Sequence, residues 1–192
     1  QLYFQPSEER KMDAVIVYPD GLDRGVGTVW EYVGEDNEDL RFFDAMLDAF
    51  EKDLCVDRSM VYAVGHSLGG FFSNLLGCLR SDRVRALASV SGGGPLQAPC
   101  GGPVAVWIAH NEDDAIVPYS YAEDTRDFWR ETNRCEDAAT PTAPEDVCVS
   151  LDGCLGGYPV HFCSHHDENG VGPHWWPSFA SEAIWSFLSG IH

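Results

Sequence analysis

The sequence has no apolar run long enough to cross a bilayer. One of its longest, Val104 to Ala109, falls far short of the roughly twenty residues that a spanning helix needs. No stretch reads as a signal peptide. The opening Gln1-Leu-Tyr-Phe-Gln5 resembles the remnant of a protease-cleavable purification tag, so residues 1–5 are set aside and residues 6–192 are expected to form one soluble domain. Basic residues are scarce, with 12 Lys and Arg against 31 Asp and Glu and a formal charge of -19. Such a chain repels phosphate backbones and anionic lipid, which argues against nucleic acid and membrane surfaces as partners. The acidity itself is read as solubility rather than substrate steering. Also missing are an internal repeat, a low-complexity linker, and any CxxC pair or metal-ligand spacing among the seven cysteines. No metal or organic cofactor is expected. Cys55, Cys78, Cys100, Cys135, Cys148, Cys154 and Cys163 read instead as disulfides of an exported protein, and their odd number leaves one without an internal partner. A monomer is expected.

What is present alternates between two periodicities. Ala14 to Tyr18 is an apolar run closed by Pro19-Asp20-Gly21 and reads as a buried strand. Leu40, Phe43, Met46, Leu47, Phe50 and Leu54 recur at helical spacing, with acids on the opposite face. Met60 to Val64 is the next strand, and Leu68 to Leu79 follows as a helix. Ala86–Val90, Val104–Ala109 and Pro159–Cys163 are further strands, while Tyr121–Thr132 and Pro177–Leu188 are helical, the latter with Pro177 in its first turn. Cys135 to Cys154 reads as turn-rich. Strands alternating with helices predict an α/β fold whose mostly parallel sheet is covered by helices on both faces.

The strongest local signal is Gly65-His66-Ser67-Leu68-Gly69, a G-x-S-x-G lying between a strand and a helix. In that context it is a nucleophile elbow. The glycines permit a strained turn that lifts the Ser67 hydroxyl, and the helix that starts there aims its NH groups, Leu68 first, at a developing oxyanion. In α/β-hydrolases the nucleophile is followed by the acid and then by the base on a loop after the last strand. Among the seven histidines this order leaves His161, His165, His166 and His174. His174 is preferred because its loop directly precedes the final helix; His165 and His166 stay as alternatives. The acid should follow Val104–Ala109, where Glu112, Asp113 and Asp114 compete; Asp114 is preferred, with Asp113 next. His66 is expected to wall the site, and Trp175, Trp176 and Trp30 are candidate stacking surfaces for a ring or an ester chain.

Four motifs in order, Val17-Tyr-Pro-Asp-Gly21, Arg58-x-x-Val-Tyr-Ala-x-Gly-His-Ser-x-Gly-Gly70, His110-x-x-x-Asp114-x-x-Val-Pro118 and His174-x-Trp-Pro177, resemble the polyhydroxybutyrate depolymerase and feruloyl esterase family of α/β-hydrolases. The similarity runs from about residue 7 to the C-terminus. It implies a secreted carboxylic-ester hydrolase with Ser67, Asp114 and His174 as its triad, acting on feruloyl-type esters, polyhydroxyalkanoates or, by extension, aromatic polyesters such as poly(ethylene terephthalate). A serine peptidase, an acyltransferase or a non-catalytic binding protein on the same scaffold are the rival readings. Members of that family carry an earlier strand ending in a His-Gly-Cys type turn, the usual source of a second oxyanion donor, and no such turn stands before Val15. Cys55 and Cys78 fall near the bottom of the expected sheet and are expected to bridge. Two more bridges are expected among Cys100, Cys135, Cys148, Cys154 and Cys163.

Overall fold

A computed structural model describes residues 4–5, 14–25, 27–96 and 99–191. Its chief element is a six-stranded sheet in the order β3-β4-β5-β8-β7-β6. Strands β3 (Tyr62–His66), β4 (Ala86–Val90), β5 (Ala105–Asn111) and β8 (Val160–His165) run parallel, and β7 (Cys148–Leu151) and β6 (Ala139–Thr142) extend it antiparallel. A separate two-residue hairpin pairs β1 (Leu22–Asp23) with β2 (Thr28–Val29). The helices are α1 (Glu38–Asp53), α2 (Leu68–Leu79), α3 (Ser120–Thr132) and α4 (Ala180–Ser189).

Side chains alternate across the central strands with the period of the pleat. Leu87, Val106, Ile108, Val160 and Phe162 point to one face, where Leu40 and Leu47 of α1, Phe72, Leu75 and Leu76 of α2 and Trp129 of α3 close a core. Ala86, Ala88, Trp107, Ala109 and Cys163 point to the other, against Ala180, Ile184, Phe187 and Leu188 of α4. The central strands therefore read as continuous apolar runs because both faces are covered, as expected of a parallel sheet. The fold is an α/β-hydrolase fold.

Several expectations need correction. Ala14–Tyr18 does not enter the sheet. It forms no ladder, and Val15, Val17 and Tyr18 are exposed, because an apolar run becomes a strand only where a neighbour offers an edge in register. The helix placed at Pro177 begins three residues later at Ala180, with Pro177 supplying a carbonyl to the turn before it. The stretch read as turn-rich contains β6 and β7. Pro141 lies inside β6, which only an edge strand tolerates, and it masked the strand signal. Cys55 does not bridge to Cys78. It is free and exposed just beyond α1, whereas Cys78 is fully buried and bonds Cys100, drawn in by the loop whose Gly101 NH donates to the Cys78 carbonyl at 2.8 Å. The remaining bridges are Cys135–Cys154 and Cys148–Cys163. Among the described residues no helix is long and apolar enough to cross a membrane.

Candidate active site

Because β3, β4, β5 and β8 are parallel, the loops that leave their carboxyl ends gather at one edge of the sheet, where ligands bind in open α/β sheets. Ser67 follows β3 directly and adopts φ 54 and ψ -121, a region that a residue with a Cβ enters only at a cost of about 1–3 kcal/mol. The turn is over-determined by its neighbours. Ser67 NH donates to the Val90 carbonyl at 2.9 Å, and the Ser67 carbonyl accepts Phe71 NH at 3.1 Å. A Cβ on Gly65 would sit 2.0 Å from the Gly69 carbonyl oxygen, so only glycine lets strand and helix approach this closely. The Ser67 side chain does not cap α2, which leaves the hydroxyl for another partner while Leu68 opens the helix behind it.

That partner is His174. Its Nε2 lies 2.9 Å from Ser67 Oγ and its Nδ1 lies 2.7 Å from Asp114 Oδ2. The Asp114 side chain is fully buried, and its Oδ1 accepts Ile116 NH at 2.8 Å and Val117 NH at 3.0 Å in a turn just past β5. Burial by itself would raise the Asp114 pKa; the bonds from His174, Val117 and Ile116 outweigh it and hold the carboxyl below its usual value. His110, at the end of β5, completes the set. Its Nε2 lies 2.9 Å from the Val117 carbonyl, which can only accept, so this nitrogen carries the proton; the same NH lies 3.3 Å from Asp114 Oδ2. Burial lowers the His110 pKa and keeps the ring neutral.

The competing candidates are elsewhere. His166 and Asp113 bond each other at 2.9 Å on the exposed surface, and Glu112 accepts the Ser164 hydroxyl. His165 is buried, with Nδ1 accepting Asp167 NH and its ring edge-on to Phe179, while His161 packs on Phe187. Burial pushes both of these rings down to about 4. Trp176 is a core residue whose Nε1 donates to Ser181, and the partly buried Trp30 stacks on Phe72 at 4.8 Å against the core. Trp175 stacks on His66 at 6.5 Å. Phe71, one turn after Ser67, is buried, with Tyr32 at 4.9 Å and Tyr121 at 5.8 Å from its ring. Among the described residues no cluster of His, Cys, Asp or Glu side chains could hold a metal ion.

No protein-family model matches the chain. Curated relatives are nevertheless clear. It is 31% identical over 196 residues to feruloyl esterase D of Neurospora crassa, covering 97% of this chain and 65% of that protein. It is 32% identical over 185 residues to feruloyl esterase C of Emericella nidulans, covering 91% of this chain and 64% of that protein. The chain has the α/β-hydrolase fold and is similar in sequence to feruloyl esterases. The chain spans a little under two thirds of the length of those relatives. Among solved structures, acetyl xylan esterase from Aspergillus awamori superposes with a TM-score of 0.61 at 12% identity, covering 84% of this chain and 74% of that one. A thermostable esterase superposes at 0.57 and 16% identity, covering 80% and 37%. The family resemblance and the fold class read from the four motifs are borne out.

Proposed function

We propose that this α/β-hydrolase is a secreted serine carboxylic-ester hydrolase. Ser67 is the nucleophile, His174 the general base and Asp114 the acid that orients it. The observation that carries the reading is the unbroken path from Asp114 Oδ2 through His174 to Ser67 Oγ, with links of 2.7 and 2.9 Å. Attack of Ser67 Oγ on the ester carbonyl passes its proton to His174 Nε2, and Asp114 stabilises the imidazolium. The tetrahedral oxyanion is met by Leu68 NH at the positive end of α2. His174 then protonates the departing alcohol and activates the water that releases the acid from the acyl-enzyme.

The names of the relatives support ester chemistry; the proposed substrates are feruloyl-type esters, polyhydroxyalkanoates or aromatic polyesters such as poly(ethylene terephthalate). Three disulfides support an oxidising, extracellular setting. The test is hydrolysis of a short-chain nitrophenyl ester by the protein and by Ser67→Ala, followed by methyl ferulate. Turnover lost with the hydroxyl supports the proposal. An unmodified protein that neither turns over esters nor reacts with a fluorophosphonate at Ser67 would refute it.

A further inference from the structure

We propose that His66 is a positioning residue for the base, tying the main chain of His174 to the end of β3 and so setting its imidazole against Ser67 Oγ. The proposal rests on the reading of Ser67 and His174 as nucleophile and base, and it replaces the expectation that His66 merely walls the substrate site. His66 is the last residue of β3, registered against Val90 of β4 by the parallel ladder, so its backbone cannot drift. Its Nε2 lies 2.6 Å from the His174 carbonyl oxygen. A carbonyl only accepts, so this nitrogen carries a proton and donates it. The residue beside the nucleophile thus holds the residue that bears the base.

The ring is set in a slot made by the loop it restrains. It lies 5.1 Å from the His174 ring, face-on to Trp175 at 6.5 Å and edge-on to Trp176 at 6.4 Å. Trp176 is itself anchored on α4 through Ser181. Burial pushes the His66 pKa down to about 4, so the donor stays neutral wherever an imidazole base operates. The segment it steadies contains Gly170 and Gly172 at φ 68 and 151, conformations open to glycine, just before His174. A positional error of about 1 Å between reacting groups costs on the order of a hundredfold in rate. Losing the clamp should therefore appear in kcat.

The experiment compares His66→Phe, which keeps a ring and loses the NH, with His66→Gln, whose amide reaches the Nε2 position, and His66→Asn, whose amide does not. Each is assayed on nitrophenyl acetate and nitrophenyl butyrate, and amide hydrogen exchange is followed over residues 171–176. His66→Phe should lose about 10- to 100-fold in kcat on both esters with KM within about threefold, and exchange over 171–176 should quicken. His66→Gln should recover most of the loss and His66→Asn little. An effect confined to KM, a Gln variant no better than Asn, or unchanged exchange would overturn the proposal. If the unmodified protein hydrolyses no ester, the esterase reading fails and exchange alone decides this one. If His66→Phe does not fold, the Gln and Asn pair carries the test.

Discussion

Replacing Asp114 by Asn changes one atom and reverses the logic of the site. Oδ1 accepts two backbone NH groups, from Ile116 and Val117, so the amide oxygen must occupy that position. The amide NH2 then points at His174 Nδ1 and His110 Nε2, where two NH donors already converge. His174 can relieve the clash by moving its proton to Nε2, but that nitrogen can then no longer accept the Ser67 hydroxyl proton. His110 can also change tautomer, since its buried Nδ1 has no hydrogen-bond partner among the described residues, but the Val117 carbonyl then loses its donor. The fold survives while the base is in the wrong form. Where a triad acid has been exchanged for its amide, kcat falls by about ten-thousandfold, equivalent to about 5 kcal/mol of transition-state stabilisation. The assay is kcat on nitrophenyl acetate for Asp114→Asn beside Asp113→Asn, with a thermal melt of each. Asp113 bonds the exposed His166 and its amide should cost less than about threefold. A loss below about tenfold at Asp114, or a larger loss at Asp113, would refute the assignment of the acid.

Gly65→Ala should destabilise by about 3 kcal/mol or more in urea titration, because its Cβ meets backbone at 2.0 and 2.2 Å, whereas Gly69→Ala meets nothing within 4 Å and should stay within about 0.5 kcal/mol. Cys78→Ser opens a bridge spanning 22 residues and should cost about 3 kcal/mol, while Cys55→Ser, at an exposed free thiol, should leave the melting temperature unchanged. Acid should unfold the protein early. His66, His161 and His165 fall from 6.5 unfolded to about 4 folded, so the unfolded chain takes up protons first and stability declines as pH drops from about 6.5 towards 4. Each fully titrating histidine contributes a slope of up to about 1.4 kcal/mol per pH unit, which the exposed His166, raised by Asp113, opposes. Melts at pH 7 and pH 5 that coincide would contradict this.

The parts of the fold legible in the sequence are those whose signal is local. Leu68–Leu79 and Ala86–Val90 emerge with the boundaries that apolar runs and the glycine-rich turn predict, because both elements are buried on their own account. Elements that depend on partners were less legible. Ala14–Tyr18 has a strand's pattern without a ladder, and β6 and β7 have ladders without a strand's pattern, held by β8 and by the Cys148–Cys163 bond between directly paired residues. In the site, Asp113 and Asp114 are adjacent in sequence, yet one turns to solvent and the other inward. That choice is made by the NH groups of Ile116 and Val117, which no side-chain pattern reveals. Proximity to a motif does not reveal which aromatic ring turns where: Trp30 packs against the core while Tyr32, two residues on, meets Phe71.

The scarcity of basic residues acquires a meaning once the site is assembled. No Lys or Arg occurs in residues 59–79, 86–125 or 135–192, the stretches that contribute Ser67, Asp114 and His174. Among the described residues the buried Asp114 carboxylate meets two backbone NH groups and the rings of His174 and His110, with no Lys or Arg bonded to it. A guanidinium in that position would hold the acid ionised equally well, but it would already neutralise the charge that, in the proposed mechanism, stabilises imidazolium when His174 accepts the Ser67 proton. Dipoles solvate the carboxylate and leave its charge available. Burial lowers the pKa of both His66 and His110, and a neutral imidazole donates a hydrogen bond without adding a positive charge beside the proposed base. In the proposed mechanism the charge separation is then confined to Ser67, His174 and Asp114, beside polar groups that contribute fixed dipoles.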